Sequence, residues 1–162
     1  MGTEDNSAAV EEANFALKDA QWAEQAGLPE RAVAAYRKVN SLFPGVWEVH
    51  NNLASLLLDL RRPGEALQSA QAALALRPDD PLVNANVARA WLQLDKPEEA
   101  IPFLRRALQG NPAMHHLREM LACALVDTGR PDEGAAVFRE VEARFPDDFQ
   151  LLEMMAKFYE RA

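Results

Sequence analysis

Apolar residues recur every three or four positions along most of this chain, which is the spacing of one face of an α-helix. The stretch LVNANVARAWLQL, residues 82–94, illustrates the pattern. Its apolar stripe consists of Val83, Val87, Trp91 and Leu94. A second stretch, EEAIPFLRRAL, follows Pro97 and ends just before Gly110, where glycine, asparagine and proline come together as in a helix stop. The pattern predicts helices in pairs, joined by a short polar turn.

Proline positions reveal an internal period of 34 residues. Eight of the ten prolines lie on two ladders with this step: Pro29, Pro63, Pro97 and Pro131 on one, and Pro44, Pro78, Pro112 and Pro146 on the other. Proline suits the first position of a helix, because its missing N–H would have no partner there and its φ is preset. The first ladder therefore predicts helix starts, and the second lies just beyond helix ends. Pro102 has no counterpart and is expected to bend its helix slightly.

Alanine follows the same period within the predicted first helices. The ladder is Ala20, Ala54, Ala88, Ala122 and Ala156. A small residue repeated at one helical position allows neighbouring helices to approach closely. A two-helix unit cannot bury its apolar face alone, so its stability comes from stacking on its neighbours.

This helix–turn–helix unit of 34 residues resembles the tetratricopeptide repeat. The resemblance implies an all-α solenoid, a right-handed superhelix with a concave groove. It divides the chain into an acidic segment at 1–12 and a repeat domain at 13–162, with repeats at 13–46, 47–80, 81–114 and 115–148 and a terminal helix at 149–162. The second helices match the family pattern well. The first helices depart from it, because Ala16, His50, Asn84 and Arg118 stand where the family usually has a large aromatic residue.

The same resemblance implies that one face of the first helices lines the groove and binds a peptide. The candidate groove residues are Lys18, Gln21, Asn51, Asn52, Ser55, Asn86, Arg89, Met120, Cys123 and Met154. Asn52 and Asn86 are one period apart, and amide side chains can pair with a peptide backbone whatever its sequence. Met120, Cys123 and Met154 supply an adaptable apolar lining. The alternative interpretation is that the polar members are only solvated residues on an exposed helix face.

The charge balance narrows the choice of partner. The formal net charge is −8, which disfavours a nucleic-acid ligand because phosphate binding needs clustered Lys and Arg. Acids outnumber bases along the predicted groove, which favours a polar or basic peptide. No apolar run is long enough to enter a membrane. The acidic start MGTEDNSAAVEEANF does not resemble a signal peptide, which favours the cytoplasm over secretion unless a leader precedes it.

The sequence does not point to catalysis, and we predict no enzyme activity, cofactor or metal site. The adjacent His115 and His116 diverge around a helix, so they cannot chelate as an i, i+4 pair would. The single cysteine, Cys123, excludes an internal disulfide and a multi-cysteine metal site. A lone cysteine on a helix is more often inert than nucleophilic. No glycine-rich phosphate loop occurs.

The C-terminal stretch FQLLEMMAKFYERA has more apolar residues than one buried stripe requires. The candidates for self-association are Leu152, Met155, Phe158 and Tyr159. Two explanations compete: the natural protein continues, so that a further helix covers this face, or it associates with itself through this face.

These observations predict a non-enzymatic protein-interaction module, an adaptor or scaffold that holds a partner peptide in its groove. Two alternatives remain open. The first is a recruiting domain of a larger enzyme such as a transferase. The second is a homo-oligomeric scaffold assembled through the helix at 149–162.

Overall fold

The computed structural model describes the backbone of residues 3–142 and the side chains of residues 7–139. Within that range the chain forms eight α-helices and no strand. They are α1 Thr3–Gln25, α2 Pro29–Leu42, α3 Trp47–Asp59, α4 Pro63–Leu76, α5 Pro81–Gln93, α6 Pro97–Gly110, α7 His115–Asp127 and α8 Pro131–Glu142. The predicted all-α fold is confirmed. The chain divides into two compact units, Met1–Pro78 (unit 1) and Asp79–Ala162 (unit 2).

The proline ladders mark the helix boundaries as predicted. Pro29, Pro63, Pro97 and Pro131 are the first residues of α2, α4, α6 and α8. On the second ladder, Pro44, Pro78 and Pro112 each follow a helix end by two residues. Pro146 lies outside the described residues, as do the predicted terminal helix and its self-association candidates. Helix α1 starts at Thr3, so it runs through most of the predicted acidic segment.

One residue in each short turn adopts a left-handed conformation, and these residues are again 34 positions apart. They are Gly27, Arg61, Asp95 and Gly129, with φ of 69°, 57°, 58° and 76°. The next amide in each turn donates to a carbonyl five residues earlier, as Leu28 does to Ala23 at 2.8 Å and Arg130 does to Leu125 at 2.7 Å. This geometry is a Schellman motif, which satisfies the last carbonyls of a helix.

Buried alanines lie where helices pack on one another in both units. Ala20 and Ala32 are fully buried in unit 1, where α1 packs on α2, and Ala88 and Ala100 are fully buried in unit 2, where α5 packs on α6. The core of unit 2 combines such alanines with larger aliphatic side chains, namely Leu104, Leu117, Leu121 and Leu125. The observed burial agrees with the predicted role of the small residues.

The family usually has a large aromatic residue near the start of each first helix. Three first helices of this chain have a polar residue there, and each forms a hydrogen bond with the preceding loop. His50 Nε2 lies 2.9 Å from the carbonyl oxygen of Pro44. Asn84 donates from Nδ2 to the carbonyl of Asp80 at 2.8 Å. Arg118 donates from Nη2 to the carbonyl of Pro112. Each of these side chains therefore ties the start of a first helix to the loop before it by a hydrogen bond instead of by apolar packing.

Pro102 lies inside α6 on an exposed face, and the helix continues through it from Pro97 to Gly110. We expect Pro102→Ala to raise the free energy of unfolding by about 1 kcal/mol, less than the roughly 3 kcal/mol of a mid-helix proline, because the position is near the helix start. Urea denaturation followed by circular dichroism measures the change. An unchanged or lowered unfolding midpoint would show that the proline is fully accommodated.

Candidate functional site

Unit 2 contains a cleft of about 320 Å³ that joins α5 and α7. Its apolar floor is formed by Leu92 of α5 and by Met120, Cys123 and Ala124 of α7. His116, Glu119 and Asp127 supply the polar side chains of the lining. The α7 residues are three or four positions apart, so they form one stripe of that helix. The structure thus places Met120 and Cys123, two predicted groove residues, in one cleft.

Partial desolvation and nearby positive charge lower the pKa of His116, which lies exposed at the edge of this cleft. Burial lowers the pKa of the imidazole, and the positive charge of Arg89 and the neighbouring His115 lower it further. A lowered pKa keeps His116 neutral at pH 7, so it can either donate or accept a hydrogen bond there. The influence of Arg89 also links the predicted polar residues of α5 to the cleft.

Asn86 and Arg89 form a fixed polar pair on α5. Arg89 donates from Nη1 to Oδ1 of Asn86 at 3.2 Å, and the asparagine is only 7% exposed. Sequence reasoning treated Asn86 as a groove residue open to a ligand, whereas the folded chain buries most of it. Its role in binding remains a prediction.

The other predicted groove residues belong to unit 1. Lys18 and Gln21 are exposed on α1, Asn52 is exposed on α3, and Ser55 is partly buried. Asn51, next to Asn52, is only 8% exposed. Met154 lies outside the described residues. Lys18 and Gln21 are not among the residues that line the cleft of unit 2, and their role in binding stays a prediction.

Tyr36 is a polar contact that sequence reasoning missed. Tyr36 occupies a buried position of α2 and is 1% exposed. Its hydroxyl, however, donates to Oε2 of Glu24 at 2.5 Å. Burial, together with the hydrogen bond and charge of Glu24, raises the pKa of the Tyr36 hydroxyl, while a hydrogen bond from Asn52 acts in the opposite direction. The sequence did offer one signal for this contact. Ala70, Leu104 and Phe138 occupy the same repeat position, and of the four residues Tyr36 alone has a hydroxyl group.

Unit 1 has a smaller apolar cleft of about 230 Å³. It lies between α1, the end of α2 and the start of α3, where Leu17, Phe43 and Val46 contribute to its walls. Asn14 is the polar side chain of its lining. Polar groups of a site fix the orientation of a ligand. This cleft has one polar side chain, so it can orient a ligand less well than the cleft of unit 2 can.

The described side chains, residues 7–139, contain no group of three or more His, Cys, Asp or Glu that could hold a metal ion. Among the described helices, none combines the length and the apolar character needed to cross a membrane.

A family model described as "Tetratricopeptide repeat" matches residues 2–145. The chain belongs to the tetratricopeptide repeat family. The match covers most of the sequence. The tetratricopeptide repeat fold is typical of protein-interaction modules.

Several solved structures share the fold of this chain. The crystal structure of MamA has a TM-score of 0.82 at 19% identity, with 93% of this chain and 82% of that chain covered. YrrB, described as a tetratricopeptide repeat protein with an unusual peptide-binding site, has a TM-score of 0.75 at 21% identity, covering 94% and 77%. An O-GlcNAc transferase of Thermobaculum terrenum has a TM-score of 0.71 at 21% identity, covering 85% of this chain and 27% of that chain.

Identities this low establish the fold alone. A comparison with curated protein sequences finds no significant match. The function of this tetratricopeptide repeat protein must therefore be argued from its own residues.

Proposed function

We propose that this protein is a non-enzymatic interaction module that binds a peptide segment of a partner protein. The cleft of unit 2 holds an apolar side chain of that segment. The observation that carries the proposal is the composition of the cleft, an apolar floor with a polar border, which is the usual composition of a ligand site.

The floor suits a flexible apolar side chain. Leu92, Met120, Cys123 and Ala124 present no charge, and methionine and cysteine are soft groups that adapt to different shapes. A volume of about 320 Å³ lies at the lower end of the range for small-ligand sites. It therefore fits one or two side chains of a peptide.

The border determines which residues can flank that side chain. Glu119 and Asp127 carry carboxylates, which attract Lys or Arg of a ligand. Neutral His116 and the nearby Arg89 can hydrogen-bond the peptide backbone. These groups favour a segment in which an apolar residue has a basic neighbour. The peptide-binding relative YrrB shows that the same fold is used to bind peptides, and we extend that activity to this chain.

Selection of a displayed library of random peptides on the intact chain tests the proposal. We expect enrichment of segments that pair Leu, Ile or Met with Lys or Arg. Met120→Glu should then weaken binding of the selected peptides at least about tenfold, because it places a charge on the apolar floor. Titration calorimetry measures the affinity.

The matched control is Gln109→Glu, which adds the same charge at an exposed position of α6 outside the cleft. A second readout needs no substitution. Cys123 is the single cysteine, and it lines the cleft, so a bound peptide should slow its alkylation by N-ethylmaleimide. Peptides that bind Met120→Glu as tightly as the parent and leave the alkylation rate unchanged would refute the assignment of this cleft.

A second candidate function is recruitment of substrates by a larger enzyme. The supporting observation is the O-GlcNAc transferase, in which the region similar to this chain makes up 27% of the protein. Reading the gene on both sides of the sequence tests this candidate. A catalytic domain in the same reading frame would support it, and stop codons at both boundaries would eliminate it.

A further inference from the structure

Helix α1 carries an exposed stripe that the peptide-binding proposal does not use. The stripe consists of Ala8, Glu11, Phe15, Lys18 and Trp22, and all five side chains are exposed. Their spacing of three and four residues places them on one face of the helix. Phe15 is 74% exposed and Trp22 is 51% exposed. Two large aromatic side chains on one open face are unusual for a surface that meets only water.

The positions that correspond to Phe15 are buried in α3, α5 and α7. One period after Phe15 is Val49, which is 2% exposed in unit 1. Three periods after Phe15 and Trp22 are Leu117 and Ala124, which are 0% and 1% exposed in the core of unit 2. There they belong to the same apolar cluster as Leu104 of α6. This face of a first helix is thus suited to packing against another helix.

Trp22 is held in place before any partner arrives. The guanidinium of Arg31 lies 4.8 Å from the centre of its ring, a cation–π contact. Asp19 fixes Arg31 in turn through an ion pair of 2.6 Å. Ordering a side chain in advance lowers the entropy lost on association. Fixed tryptophans are also the residues that most often dominate the energy of a protein interface.

The length and charges of α1 indicate what covers the stripe. The helix has 23 residues, which is about 34 Å, and Asn14 is its midpoint. When two copies of α1 pack antiparallel with the two-fold axis beside Phe15, one residue from that midpoint, Phe15 lies next to the partner's Phe15. Glu11 then lies opposite the partner's Lys18, and Trp22 lies opposite the partner's Ala8. Opposite charges and a large residue against a small one are complementary on both sides of the axis.

A parallel arrangement lacks this complementarity. It would place Glu11 against the partner's Glu11 and Lys18 against the partner's Lys18, and like charges in contact are unfavourable.

We propose that the stripe of α1 is the interface of a two-fold symmetric homodimer. Its centre is the pair of Phe15 side chains, and Glu11 pairs with the partner's Lys18 on each side. The stripe shares no residue with the cleft of unit 2, so the dimer and the peptide binding are tested by different substitutions.

Sedimentation equilibrium of the intact chain over a range of concentrations tests the dimer. We expect Phe15→Glu to raise the dimer dissociation constant at least about thirtyfold, because it places two carboxylates at the centre of the interface. The matched control is Leu76→Glu, a similar change at an exposed leucine of α4. Phe15 is largely exposed, so the variant should keep the helical signal of the parent.

Charge exchange tests the antiparallel register. Glu11→Lys and Lys18→Glu should each weaken the dimer about threefold to tenfold, and the double variant should restore it, because the pair re-forms with its signs reversed. A monomer at every concentration would overturn the proposal. A dimer whose dissociation constant is unchanged in Phe15→Glu would also overturn the proposal. Residues 149–162 would then be the next candidate for the interface. Failure of the double variant to recover would reject the register.

Discussion

Replacing Leu104 with alanine is expected to lower the free energy of unfolding by about 2–5 kcal/mol. Leu104 is fully buried in α6, within the core cluster of unit 2 that includes Leu117, Leu121 and Leu125. Removing its side chain loses the transfer free energy of the buried carbons and leaves a cavity. Helices already in contact through alanines have little room to move in and fill it. Urea denaturation monitored by circular dichroism measures the loss.

The neighbouring Gln109→Ala is the control for Leu104→Ala, since it removes an exposed side chain from the same helix. It should leave the midpoint within about 0.5 kcal/mol of the parent. Because repeat proteins need not unfold in a single step, the slope of the transition has to be compared as well as its midpoint. A loss below about 1 kcal/mol with an unchanged slope would contradict the tight packing of this core.

The elements that were predicted correctly are those fixed by local chemistry. Proline can start a helix but cannot donate a hydrogen bond, so Pro29, Pro63, Pro97 and Pro131 mark helix starts independently of the rest of the fold. Buried alanines follow from the requirement for close approach between helices. Each of these effects acts over a few residues, which is why the repeat period was visible in the sequence.

The sequence did not reveal features that depend on the rotation of each helix about its own axis. Asn51 and Asn86 were predicted to line a groove, but they are 8% and 7% exposed. A rotation of a helix by a fraction of a turn exchanges a buried position for an exposed one, and the apolar pattern fixes that rotation only roughly. The left-handed residues Arg61 and Asp95 were also missed, since glycine is the usual signal for that conformation.

The ion pairs that connect one helix pair to the next could not be predicted from the sequence either. Arg62 pairs with Glu30 at 3.0 Å in unit 1, and Arg130 pairs with Glu98 at 2.8 Å at the equivalent positions of unit 2. The arginines and glutamates could be counted in the sequence, but their partners could not be identified before the register of the helices was known. Pairs this exposed contribute little to stability. Their recurrence in both units indicates that the two share one mode of helix packing.

The candidate site was predicted in part. Met120 and Cys123 do lie together in a cleft, because the helical period of α7 alone puts them on one stripe. Leu92 was not predicted to join them, since its position depends on the packing of α5 beside α7. The lowered pKa of His116 was equally invisible, because it requires both burial and the approach of Arg89. Sequence periodicity thus brought together two of the seven lining residues, and tertiary packing added the others.

Replacing Arg118 with leucine is expected to lower the free energy of unfolding by about 1.5–3 kcal/mol, the usual contribution of hydrogen bonds from a charged group. Arg118 is 7% exposed, and its guanidinium bonds the carbonyl of Pro112 and lies 3.1 Å from Nδ1 of His115. Leucine preserves an apolar stem but removes both contacts, so the loop before α7 loses its tie to the helix. Thermal and urea unfolding of the purified variant give the difference.

Two further variants separate the hydrogen bonds of Arg118 from its charge. Arg118→Lys keeps the charge and one donor, so it should lose less stability than Arg118→Leu does. Arg106→Leu removes an exposed arginine from α6 and should have an effect near zero. If Arg118→Leu has the same free energy of unfolding as the parent, apolar packing stabilises this repeat position as much as hydrogen bonding does. The polar residues His50, Asn84 and Arg118 would then need an explanation other than stability.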